Sequence, residues 1–271
     1  MTTTFDYTVT TLDDFSDDSN SATWSLREAI EAANANGGAE TIGFDAALNG
    51  TITLTEGQLD ITESLSIDGG GVITVSGDVS SRVMRILTGS DDVYALNDIT
   101  LRDGLGANGG GLYVGGGNDV TLTDVTIRGS LASSDGGGIY VSGTGASSKL
   151  TLTDSSILEN VTQGRGGGLF AGLGADVTVN GTSAFDYNSA QVQGGSIFGM
   201  GATTSVVLDG NSVIVEDGRA YGATGAGGGI AMISGSSLEI RNGASVQGNT
   251  AAASISMTQA LRSRKATYPT M

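Results

Sequence analysis

The chain has 271 residues, of which 45 are Gly, one is Pro and none is Cys or His. Disulfides, Cys/His zinc sites, His general bases and Cys nucleophiles are therefore excluded. The balance of 29 acids against 12 bases, net −17, argues against a nucleic-acid phosphate binder, and no apolar run approaches the roughly 18 residues of a membrane span.

The length fits one large domain or two of ordinary size. Only 15% of residues are charged, and the Gly residues cluster between short apolar runs, a pattern of short strands and tight turns rather than disorder. The chain begins MTTTFDYTVTT, with no basic n-region and no apolar h-region, so no Sec-type signal is visible. Residues 12–20 hold Asp13, Asp14, Asp17 and Asp18 in one polar loop. Closely spaced Asp oxygens suit calcium, the one cofactor the sequence raises, but the Gly and terminal Glu of an EF-hand loop are missing. A solvated acidic loop is the plainer reading.

Residues 25–34 read as the one helix of the body. Leu26, Ile30 and Ala33 share a face, Ser25 and Glu28 form a capping box, and Gly37-Gly38 stops the helix. Its place ahead of a long run of strands predicts a cap on the end of an all-β core.

From there the chain repeats. Gly-Gly-Gly-Leu-Tyr at 109–113 recurs at 136–140, 166–170, 194–198 and 227–231, at offsets of 27, 30, 28 and 33 residues. Degenerate copies are read at 69–73 and 252–256. A strand with one buried face follows each copy, at 120–124, 150–154, 177–181, 206–210 and 238–242. A third strand comes next, at 125–127, 155–157, 184–185, 213–215 and 245–246, and then a turn in which Asn160, Asn188 and Asn249 match. Three short strands per coil of 25–33 residues are too few for a propeller blade, and the Leu/Asn consensus of leucine-rich repeats is missing. The expected fold is all-β: a right-handed parallel β-helix with a short N-terminal capping helix. In it Asn160 would lie over Asn188, and Tyr113 would neighbour Tyr140 and Phe170. The expected organisation is one solenoid over 1–257, with a cap to about residue 50, coils from 51, and a tail or cap at 258–271. That tail carries Arg262, Arg264, Lys265 and the only Pro, Pro269.

Trp24-Ser25-Leu26-Arg27-Glu28-Ala29-Ile30, followed by Ala32-Ala33-Asn34 and Thr41-Ile42-Gly43-Phe44, resembles the N-terminal signature of a family of bacterial surface β-helix proteins. That signature normally begins with Cys, where Trp24 stands here. The Gly-Gly-Gly-Ile-Tyr and Ile-x-x-Asn pairs are similar to repeats of polymorphic outer-membrane proteins and adhesins. The resemblance covers about residues 5–257. It implies a β-helix that is secreted or attached to the cell surface, and it names no activity.

β-Helices also act on polysaccharides, which needs paired carboxylates or an Arg/Lys base. Asp98, Asp124 and Asp154 end equivalent strands, Arg102 and Arg128 fall on adjacent coils, and Asp186, Glu216 and Asp217 add acids later. Turn residues and surface pairs are the stronger reading of each. No residue is assigned a catalytic, ligand-binding or metal role. The Gly triplets lack a following Gly-Lys-Ser/Thr, so they are corners rather than phosphate loops. The expected function is an extracellular structural or adhesive protein that self-associates through its end coils or engages extracellular polysaccharide. A polysaccharide lyase, hydrolase or epimerase, and a non-catalytic glycan-binding module, stand as alternatives.

Overall fold

The computed structural model describes residues 4–16, 23–87, 93–143, 147–222 and 227–251. The degenerate copy at 252–256 and the basic tail lie outside the described residues, as do Asp17 and Asp18.

The described chain winds into a parallel β-solenoid with one short helix, and every strand pairs in parallel with a strand of a neighbouring coil. Three sheets result, of 15, seven and six strands, here the long, aromatic and short faces. The offsets seen in the sequence are the coil lengths. Leu112 sits beside Ile139, Leu169, Ile197 and Ile230 in successive coils of the aromatic face. Side chains alternate along each strand, so Leu112, Ile139, Leu169, Leu122 and Leu152 stack inside one continuous core at 0% exposure.

From the strand Val93–Arg102 onward, each coil contains four strand segments rather than three. The fourth is a two-residue strand on the short face: Leu105–Gly106, Leu131–Ala132, Val161–Thr162, Ser189–Ala190, Arg219–Ala220 and Thr250–Ala251. Two residues are too short to show an alternation, so the sequence reads them as turn.

Three corners shape the coil. At the first, inside the long face, the chain turns at Asp98, Asp124, Asp154 and Asn242, all with φ between 50° and 54°. At the second, onto the short face, it turns at Asp103, Gly129, Glu159, Tyr187, Asp217 and Gly248, with φ between 45° and 65°. Asp, Asn and Gly tolerate this left-handed region best. The third corner is the Gly triplet. Its first Gly is left-handed, as at Gly136 with φ 66°. At its second, a Cβ on Gly137 would lie 2.4 Å from the Gly167 carbonyl oxygen of the next coil, which only Gly avoids. The triplet at 69–71 does not share this place. It bulges within the strand Leu65–Ser76 on the long face, and the aromatic-face strands of those coils are Leu59–Ile61 and Met84–Ile86.

The helix spans Leu26–Asn36 with the expected capping box, and Gly37 ends it. Leu26, Ala29, Ile30 and Ala33 point into the same core as the first strands, so the helix closes that end. The solenoid starts within the expected cap: Tyr7–Val9 pairs with Glu40–Phe44, which pairs with Leu65–Ser76. The acidic loop is part of this closure. Asp14 forms an ion pair with Arg27 at 2.8 Å and accepts the Thr55 and Glu56 amides.

Candidate functional site

The residues singled out as candidates fall into three groups. In the first, Asp98, Asp124 and Asp154 form the left-handed column, and their turn role is direct. Asp154 Oδ1 accepts from both the Thr182 amide and hydroxyl of the next coil, which holds its carboxyl below the usual range. Asp98 is pushed up by burial and by its neighbours Asp124 and Asp68. The second group is the Arg pair. Arg102 and Arg128 are in register on adjacent coils, but Arg102 pairs with Asp103 and Arg128 with Glu159. These exposed pairs contribute under about 1 kcal/mol each.

The third group sits on the later coils. Asp186 is level with Leu158 of the coil before, and Glu216 follows Val215, the partner of Phe185. Asp186 is pushed up by partial burial, with Glu216, Asp217 and Glu159 adding to it against the Tyr187 amide. One Asp186 oxygen is buried with no hydrogen bond. Among the described residues no three metal-ligating side chains converge on a point that would hold an ion.

Two ladders expected from the repeat are present. Asn160 donates its amide and its Nδ2 to Asn188 Oδ1, and donates Nδ2 to the Ile127 carbonyl. Asn188 donates in turn to Ile157, and Asn249 to Val215. Asn160 and Asn188 are fully buried, so the ladder belongs to the frame.

Tyr113, Tyr140, Phe170 and Phe198 form the other ladder, with ring centroids 5.2, 4.9 and 5.4 Å apart. Arg82 covers the outer face of Tyr113, and Arg165 lies over Phe198. The faces of these rings are thus taken by one another and by guanidinium groups. The column is a spine, and it offers no ring face for a sugar to stack on.

The sequence reading missed a surface on the short face. Tyr187 and Tyr221 are 55% and 59% exposed, with Arg219 between them on the strand Arg219–Ala220. The signal was available as two Tyr flanking the short-face strands of adjacent coils. It became visible only once the fourth strand segment was placed.

The family model for the right-handed β-helix region matches residues 86–264, about two-thirds of the chain. No match was found among curated proteins or solved structures. No helix among the described residues is long and apolar enough to cross a membrane. The ladders, the corners and this match together place the chain in the right-handed parallel β-helix family.

Proposed function

We propose that this chain is an extracellular structural and adhesive solenoid that associates through its C-terminal coil. The observation that carries this reading is how many of the charged side chains are spent on the frame. Asp154 holds a corner, Asp14 and Asp60 pair with Arg27 and Arg85, and Asp119 pairs with Lys149. Regular ladders with committed charges serve a scaffold better than a reaction centre. The resemblance of the N-terminal residues and repeats to surface adhesins supports the same reading.

The two ends differ. The first coil lies under the helix, whereas among the described residues the strands Ile230–Ile233, Ser237–Arg241, Ser245–Val246 and Thr250–Ala251 have no strand beyond them. Leu238 and Ile240 there are only partly buried. An open parallel edge templates pairing. With the helix over the first coil, two copies meeting at the last described coil give a closed pair rather than a filament.

One observation favours a second reading, a polysaccharide-acting lyase, hydrolase or epimerase. Asp186 has a raised pKa and three acids around it, a pattern that suits a general acid. Incubation with neutral and uronate polysaccharides, followed for chain cleavage and epimerisation, decides between them. The structural reading expects no turnover. Turnover abolished by Asp186→Asn would overturn it.

A further inference from the structure

We propose that the short face around Tyr187, Arg219 and Tyr221 binds a neutral glycan chain. This rests on the adhesive reading and gives it a site. Nine Lys and Arg residues lie in the described segments, and eight engage an acid or a ring. Arg219 is the exception among the described residues: it is exposed, and its guanidinium has no ion pair, ring contact or hydrogen bond. It lies level with Ser189, and the Tyr221 amide donates to Ala190, which sets Tyr221 beside Gln191. Tyr187 is two residues before Ser189. The strip from Tyr187 past Ser189 and Arg219 to Tyr221 and Gln191 therefore runs from the corner onto the face over at most about 13 Å, the length of four fully extended residues. That is the reach of a short oligosaccharide.

The two tyrosines differ from those of the aromatic ladder, because neither stacks on another described ring and both are more than half exposed. Tyr187 stands on a left-handed backbone, φ 51°, near the Asp217 carboxylate, which pushes its hydroxyl pKa up.

Ring faces suit the C–H face of a pyranose. Arg219 and Gln191 donate to sugar oxygens, and Asp217 and Glu159 accept from hydroxyls. The same acids argue against other partners. With Asp186 and Glu216 nearby and a chain charge of −17, an anionic glycan is repelled. A protein partner would bury these carboxylates in the centre of its interface, where Asp and Glu are depleted.

Titration calorimetry with cello-, chito- and manno-oligosaccharides, and with oligogalacturonate as the anionic arm, tests the site. At least one neutral series should bind. Tyr187→Asn, which keeps a residue at ease in the left-handed corner, and Tyr221→Ala should each weaken that binding tenfold or more. Arg219→Ala should weaken it several-fold, and Lys149→Ala, on the long face, should leave it unchanged. Unchanged thermal melting of the variants separates loss of binding from loss of fold. Binding that survives both Tyr variants would overturn the site and leave the adhesive reading standing. A preference for oligogalacturonate would overturn the ligand class. No binding of any glycan would overturn the site and remove the glycan arm of the adhesive reading.

Discussion

Asn188 shows how much one buried side chain supports. Its Oδ1 accepts the Asn160 amide at 3.0 Å, and its Nδ2 donates to the Ile157 carbonyl at 2.7 Å. Asn188→Ala strands both groups in a dry interior. A loss of about 1–3 kcal/mol for each is expected, so urea unfolding should show a drop of about 2–6 kcal/mol. Asp14 makes a pH-dependent contribution of the same local kind. Burial pushes its carboxyl up, but the Arg27 guanidinium and the Glu56 and Thr55 amides outweigh burial and leave it below the usual range. A depressed carboxyl stabilises the fold at pH values above its unfolded pKa, and that contribution is lost as pH falls through the folded value. Asp14→Asn should therefore lower stability at neutral pH and narrow the gap from wild type as the solution is acidified. Thermal melts across pH 2–7, roughly the range carboxylates titrate in, check this. A gap that stays constant would contradict it.

Within a coil, the third Gly of the triplet and the inner corner residue share one space. A Cβ on Gly138 would lie 2.9 Å from Asn160 Cγ, and one on Gly229 would lie 2.5 Å from Asn249 Cγ. Of the two coils between them, one keeps this arrangement with Gly168 and Asn188, and in the other the sizes are exchanged: the triplet ends in Ser196, and the corner residue is Gly218, whose Cβ would lie 2.4 Å from Ser196 Oγ. Gly218→Asn should cost about 1–3 kcal/mol through overpacking. Adding Ser196→Gly should recover part of that loss, so the pair is non-additive in a double-mutant cycle. At the capped end, Ser25→Ala removes the side chain that accepts the Glu28 amide, and should cost about 1 kcal/mol by the same unfolding measurement.

The repeat itself was legible in the sequence, because stacking forces residues such as Asn160 and Asn188, or Tyr113 and Tyr140, into equivalent places. The helix was legible through its capping box. The short-face strands were not, since two residues carry no period. The triplet at 69–71 misled because a bulge and a corner ask for the same residue. The surface at Tyr187 and Tyr221 was hidden for a related reason: exposure depends on which coil and column a residue joins, and only the register fixes that.

At the scale of the whole molecule, charge and edge geometry oppose each other. Two copies of net charge −17 repel, while the last described coil offers strand edges that have no partner among the described residues, with the partly buried Leu238 and Ile240. Screening falls on the first of these alone, since the Debye length shortens from about 8 Å at 0.15 M salt to about 3 Å at 1 M. Association should therefore strengthen with salt. The most direct test is light scattering behind size exclusion, over a range of protein and salt concentrations, with and without calcium. The account predicts a concentration-dependent pair that is favoured by salt and does not grow further. A monomer under every condition would contradict association through the last coil, and open-ended fibres would contradict the closure of the first coil by its helix.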